Sequence, residues 1–240
     1  MACNVCGSDD FLDFNGRSKV RCKECGSTER ARLLWLYLET YGALGPDSRV
    51  LHIAPERCIY DKVVKIVASE NYHVRDFNPA GYPFAKNISK IDLCNLEGLP
   101  DDYYDVVVHS HVLEHVLCNI AHPLFHLHRT LKSTGRHFFL VPFLGGKYDE
   151  CFQDIGDEER VRRFGQNDHV RRFGREDIET HLGTLVKLEE AGMKEAAAAF
   201  SPELLDSYSI PRGVLSSFTA HTVLNLGKTG MHFFRQQPQD

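Results

Sequence analysis

Four short runs decide the fold: SRVLHIAPE at 48–56, NYHVRDFNP at 71–79, NISKIDL at 87–93 and YYDVVVHSHVLEHV at 103–116. Each is a brief apolar segment that stops at polar or conformationally special residues. Val50-Leu51-His52-Ile53 stops at Ala54-Pro55-Glu56, and Tyr72 to Arg75 stops at Asp76. Ile88 to Ile91 stops at Asp92, and Val106-Val107-Val108 stops at His109-Ser110-His111. Strands of a parallel sheet, covered on both faces, carry such uninterrupted apolar runs. Open α/β sheets bind ligands outside the carboxyl ends of their strands. An acidic residue closing the second strand can accept from a ribose diol. The stretch therefore outlines a nucleotide-cofactor cleft.

The flanking sequence extends the pattern. A helix over 57–69 links the first two strands, with Ile59, Val63, Ile66 and Val67 at helical spacing. A helix over 120–132 leads through Ser133-Thr134-Gly135 into a fifth strand over 136–141, which Pro142 ends. Residues 143–174 read as polar and irregular, a lid-like insertion. A helix is expected over 176–191, a sixth strand over 193–200, a loop over 201–213 and a seventh strand over 218–226. That last strand, entered by a short loop, would be antiparallel. The tail from Arg235 is polar and is expected to be loose. The fold class is α/β: a Rossmann-like, seven-stranded, mostly parallel sheet with helices on both faces.

Cys3-x2-Cys6 and Cys22-x2-Cys25 precede this domain, each pair followed by glycine. Two such turns present four thiolates to one tetrahedral ion, so the reading is a zinc ribbon. Asn15-Gly16 between the pairs is a hairpin turn signal. With all four positions filled by protein, the Zn2+ would be structural. Ser27 or Thr28 can cap the following helix, which Gly45-Pro46 ends. The expected division is a ribbon at 1–27, a linking helix at 28–46 and the main domain at 47–235.

Composition narrows the function classes. The chain has 240 residues, 42% of them apolar and 25% charged, which suits one globular α/β domain with a small appendage. Its net charge is −5 without a sustained basic tract, so general nucleic-acid binding gains no support. No run of 18 apolar residues occurs, so no membrane span is expected. The opening MACNVCG lacks a secretory pattern, and a cytoplasmic protein is expected. In that compartment paired cysteines hold metal more often than they form disulfides. Cys58, Cys94, Cys118 and Cys151 then read as ordinary buried thiols. The sequence leaves the oligomeric state open.

Leu51-His-Ile-Ala-Pro-Glu56, His111-Val-Leu-Glu-His-Val116 and Phe164-Gly-Gln-Asn-Asp-His-Val-Arg-Arg-Phe-Gly174 stand in order along the chain. In this combination the chain resembles class I S-adenosylmethionine-dependent methyltransferases, and within them a bacterial subgroup with an N-terminal zinc ribbon. The resemblance implies S-adenosyl-L-methionine as cofactor. His52, Ala54, Pro55 and Glu56 would form the first cofactor loop, with Glu56 at the methionine amino group or cation. Asp76 would hold the ribose hydroxyls, Phe77 would cover the adenine, and Asp92 would accept from the adenine amino group with Leu93 beside it. His109, Ser110 and His111 would line the methionine end. One departure stands out: the usual first loop is glycine-rich, and Ala54-Pro55-Glu56 is not.

Methyl transfer needs an aligned nucleophile and, for a hydroxyl or amine, a base. His169, beside Asp168 in the long insertion, is the first candidate base, and His111 is the second. Arg171 and Arg172 could hold an anionic substrate group. The alternative for these arginines is an internally paired, solvated lid. The leading reading is a methyltransferase for a small-molecule acceptor. An RNA methyltransferase gripping RNA through its ribbon, and a non-catalytic binding protein with a degenerate cofactor loop, are the competing readings.

Overall fold

The computed structural model describes residues 1–42 and 44–234; Ala43 of the linking segment and the polar tail from Arg235 lie outside them. Strands β1 (Phe11–Phe14) and β2 (Arg17–Cys22) pair antiparallel around Asn15-Gly16. Both turn residues have positive φ, 50° and 73°, the geometry this dipeptide favours. Helix α1 (Glu29–Tyr41) follows, with Leu33, Leu34, Trp35, Tyr37 and Leu38 buried. Each such side chain contributes up to about 1.5–3 kcal/mol of burial. Thr28 occupies the N-cap, but Ser27 turns its hydroxyl to Cys3 Sγ at 3.1 Å instead of capping the helix.

The main sheet is built from β3 (Val50–Ile53), β4 (Tyr72–Asp76), β5 (Ile88–Lys90), β6 (Tyr104–Ser110) and β7 (Leu131–Leu140). Helix α2 (Arg57–Val63) connects β3 to β4, and α3 (Ala121–Arg129) connects β6 to β7. An insertion then supplies β8 (Phe143–Leu144), β9 (Asp149–Glu150), α4 (Asp157–Phe164) and β10 (Arg171–Gly174). The chain closes with α5 (Ile178–His181), α6 (Met193–Ala199), α7 (Pro202–Ser207) and β11 (Leu224–Gly227). The strand order is β11-β7-β6-β3-β4-β5. All neighbours are parallel except β11, which runs antiparallel to β7. From β3 the chain builds outward through β4 and β5, then crosses back to lay β6 on the other side. The order thus reverses between β3 and β6, the place where such sheets bind ligands.

Several expectations are corrected. Residues 193–199 form helix α6, not a sixth strand, so the main sheet has six strands among the described residues. Lys194-Glu-Ala-Ala-Ala-Ala199 is strong helix-forming sequence. Its Ala196 and the following Phe200 pack on α1, where Phe200 meets Tyr37 edge-on at 5.3 Å. The helix expected over 176–191 is reduced to α5 and short 3₁₀ turns around Gly183. The loop expected over 201–213 contains α7. The insertion is folded instead of irregular: β8, β10 and β9 make a small sheet, with Phe164 and Phe173 buried beneath. Arg163 pairs with Asp149 at 2.5 Å and Arg171 with Glu150 at 2.9 Å across it. Cys94 and Cys118 are joined as a disulfide instead of standing as free thiols. No described helix is long and apolar enough to cross a membrane.

Candidate functional site

At the reversal point, two non-glycine residues adopt left-handed backbone. Ala54, just past β3, has φ 50°, and His111, just past β6, has φ 54°. Such conformations cost roughly 1 kcal/mol or more and persist where surrounding structure enforces them. Here the enforcement is pairing: Ala54 N donates to Arg75 O at 2.9 Å, and His111 N to Leu140 O at 3.0 Å.

Unmet polar groups collect at the same edge. Both carboxylate oxygens of Glu56 and the Oγ of Ser110 lack hydrogen-bond partners among the described residues. Arg30 Nε, brought in by the start of α1, is also unmet and lies 3.8 Å from Glu56 Oε1. Buried polar atoms in folded proteins are nearly always paired, so this concentration calls for a ligand. A carboxylate and a guanidinium side by side match a zwitterion: Glu56 can accept from an ammonium and Arg30 can donate to a carboxylate. His221 shares this neighbourhood. Its pKa is lowered, mainly by burial, and it feels the charges of Glu29, Arg17, Arg30 and His111. Arg30 and His221 carried no signal in the sequence, because neither belongs to a strand end or to a recognised motif.

Farther along the edge, Asp76 Oδ1 accepts from Asn78 N at 2.6 Å and Asp92 Oδ1 accepts from Cys94 N at 2.9 Å. These turns fix each carboxylate through one oxygen. Tyr82 stands against Asp76, and its hydroxyl pKa is raised by burial and by that contact. Phe77 is 64% exposed with Lys90 Nζ 5.1 Å above its ring, a flat apolar surface beside Asp76.

Other expected residues lie elsewhere. His52 is fully buried and bonded through Nδ1 to Tyr72 Oη at 2.7 Å. It packs in the core and does not reach the cleft. His109 is fully buried against His137 and Phe139, with ring centroids at 5.2 and 5.3 Å. Leu93 is a core residue and Pro55 is buried, while Ala54 is half-buried at the loop. Arg171 is fully buried and donates to Leu113 O, Cys118 O and Glu150, so its donors are directed at protein groups. Arg172 is half-buried with Nε on Lys147 O at 3.1 Å.

His111 Nδ1 stands 3.3 Å from Glu114 Oε1, and its Nε2 stands 2.9 Å from Ala220 O. His169 is 3% exposed, its ring 4.7 Å from that of His115, and its pKa is lowered, chiefly by burial. Asp168 directs Oδ2 to His115, at 3.4 Å, and not to His169.

The four N-terminal cysteines converge, their sulfurs all within 4.8 Å of one another. Cys3 and Cys25 sulfurs are 3.6 Å apart, and those of Cys6 and Cys22 are 3.5 Å apart. The two halves repeat one backbone pattern. Gly7 N donates to Cys3 O and Gly26 N to Cys22 O, while Cys3 N donates to Ser8 O and Cys22 N to Ser27 O. Gly7 and Gly26 sit at φ 87° and 73°, which explains the glycine after each pair.

No family model matches the chain, and no curated protein matches it. Solved structures do. The chain is similar to an S-adenosylmethionine-dependent methyltransferase from Mesorhizobium loti at 20% identity and TM-score 0.38, covering 49% of this chain and 55% of that one. It is also similar to the YcgJ protein from Bacillus subtilis at 15% identity and TM-score 0.45, covering 80% and 92%. A third similarity is to an S-adenosylmethionine-dependent methyltransferase from Archaeoglobus fulgidus, at 22% identity and TM-score 0.43, covering 66% and 68%. The chain spans little more than half the length of the first of these. At such identities the roles of this chain's residues follow from their own geometry.

Proposed function

We propose that the chain is an S-adenosylmethionine-dependent methyltransferase acting on a small-molecule acceptor. One observation carries the reading: the unmet Glu56, Arg30 and Ser110 gather where the strand order reverses, and Asp76 and Asp92 follow on the next two strands. Neighbouring strands lie about 4.8 Å apart, so these groups are spaced like an amino-acid end, a ribose and a base. Glu56 and Arg30 would hold the amino acid's two charges, Asp76 the ribose diol, Phe77 one face of the base and Asp92 its amino group. Ala54 supplies the left-handed turn that a glycine usually provides, which keeps the first loop compatible with a bound nucleotide.

The bound cofactor would bring an electrophilic methyl group with a neutral thioether as leaving group. The protein's part is to align the acceptor and take its proton. His111 turns both ring nitrogens to protein acceptors, Glu114 Oε1 and Ala220 O, so we assign it a positioning role at this end of the cleft. His169 is 3% exposed and is assigned a supporting place. We assign a structural Zn2+ to Cys3, Cys6, Cys22 and Cys25. Their sulfur spacings sit near the roughly 3.8 Å edge of a tetrahedron with 2.3 Å Zn–S bonds. The RNA reading is weakened because Arg17 and Lys23 of the hairpin are committed to Glu29 and Asp10, both at 2.7 Å.

Calorimetry with S-adenosylmethionine and S-adenosylhomocysteine tests the reading. Wild type should bind both, and Asp76→Ala should weaken each by about 10- to 100-fold, the worth of a charged hydrogen-bond pair. Absence of heat with either ligand would sink the proposal. A methyl-consumption screen across thiols, hydroxy acids, phosphorylated sugars and RNA then identifies the acceptor.

A further inference from the structure

Glu114 is fully buried, and neither carboxylate oxygen has a hydrogen-bond partner among the described residues. A buried carboxylate in this condition needs a cation or a donor. Beyond His111, whose Nδ1 is 3.3 Å from Oε1, two more imidazoles face it: the ligand atoms of Glu114, His115 and His169 all lie within 4.8 Å of one another. The two rings stand at 85° with centroids 4.7 Å apart, as two ligands of one ion would.

Their protonation follows from their partners. His169 Nδ1 lies 3.2 Å from Phe164 O, and His115 Nδ1 lies 3.2 Å from Asp168 O and 3.4 Å from Asp168 Oδ2. A carbonyl oxygen only accepts, so Nδ1 carries the proton in both rings and Nε2 keeps its lone pair. With that tautomer each ring keeps one unprotonated nitrogen to offer a cation beside the carboxylate. An imidazole oriented by a carbonyl or carboxylate through its other nitrogen is the usual outer support of a metal ligand.

The scaffold is rigid. Glu114 and His115 come from a 3₁₀ turn after β6, and His169 comes from the approach to β10. Val170 N donates to Glu114 O at 2.8 Å, and the Arg171 guanidinium bonds Leu113 O and Cys118 O. These bonds lock the two segments together. His111, 3.3 Å from Oε1, braces the carboxylate from outside.

We propose that Glu114, His115 and His169 bind a divalent transition-metal ion of the Zn2+, Co2+ or Fe2+ class, separate from the cysteine cluster. Two imidazoles and one carboxylate suit such borderline ions and not Mg2+ or Ca2+, which favour oxygen. Three protein ligands leave positions open to water or to oxygen atoms of a small ligand. A second constellation, Glu97, His122 and His126, serves as the contrast. Its Glu97 is exposed, and His126 Nδ1 accepts from Arg129 Nε at 3.0 Å.

The test needs no methyl donor, so it stands apart from the transferase reading. The full chain, its cysteines loaded, is dialysed against a mild chelator and titrated calorimetrically with Zn2+ and Co2+, with elemental analysis of the product. Wild type should take up one ion beyond the one the cysteines hold, and that second cobalt should lack thiolate charge-transfer bands. The second ion should be lost in His115→Ala, His169→Ala and Glu114→Gln, and retained in His122→Ala. His115 is 37% exposed, so its variant keeps the test valid if the buried substitutions unfold the chain. A total equal to the cysteine-bound ion alone, a second ion that survives His115→Ala, or one lost with His122→Ala would each overturn the proposal.

Discussion

Lowering the pH from 7.5 to 4.5 should unfold this protein through histidines it buries neutral. His52 and His109 are fully buried, and burial lowers their pKa values to about 3; His128 falls to about 4 for the same first cause. His137, also fully buried, lies well below the ordinary histidine value. The folded pKa is below the unfolded one in every case. Each ring therefore contributes its full stability above about pH 6.5, and that contribution is lost as pH falls towards the folded value. Below 6.5 the unfolded chain takes up protons that the folded chain refuses. At pH 4.5 the loss is about 3 kcal/mol per ring, on the order of 10 kcal/mol for the three with stated values. Total stability is typically 5–15 kcal/mol, so unfolding is expected between about pH 6 and 4.5. The assay is urea unfolding at a series of pH values, followed by fluorescence of Trp35, the only tryptophan in the chain and a buried one. A metal held by the cysteines would also be released by acid, so the decisive comparison is His109→Phe. Phenylalanine can fill the place beside Phe139 and His137 without the two ring nitrogens that lack partners among the described residues. The slope of stability against pH should fall by about one proton, 1.4 kcal/mol per pH unit. An unchanged slope would refute the reasoning.

Three further outcomes are expected. Arg171→Met should cost about 3–5 kcal/mol, because it abandons Glu150 and two carbonyls, and limited proteolysis should then cut within 143–174; Arg171→Lys should not rescue it, since an ammonium lacks the fork. Reducing Cys94–Cys118, which spans 24 residues, should lower stability by about 3 kcal/mol in denaturant titrations run with and without dithiothreitol. His111→Ala should retain donor binding and lower turnover in a methyl-transfer assay; unchanged turnover would remove its positioning role.

The parallel strands were legible because burial on both faces writes itself as apolar runs, and Val50–Ile53 and Val106–Val108 are such runs. The convergence of Cys3, Cys6, Cys22 and Cys25 was legible because its spacing is local. What the sequence concealed depends on pleat and on distance. His52 and His109 sit at strand ends, where a cleft residue belongs, but the pleat sends each into core. His52 pairs in register with Val74 and Val108, and His109 with Phe139 on the opposite face. Ser110, one residue on, is the one left with an unmet hydroxyl. Arg30 reaches the candidate site only because α1 is docked across the sheet edge. The sixth strand expected over 193–200 is a helix over 193–199, and its run of alanines states that preference locally.

Arg32, fully buried on α1, donates to Ser27 O beside the cysteines and to Tyr208 O and Ser209 O, 176 and 177 residues away. Closing a loop of that length costs about 4.6 kcal/mol of chain entropy. The N-terminal hairpin can assemble from neighbouring residues as soon as it is synthesised. Its seat cannot, since the two distant carbonyls are made near the end. Arg32 is in effect a latch that only a nearly finished chain can throw. A chain interrupted before Tyr208 would leave this guanidinium without those two acceptors, however well its first cysteines had folded.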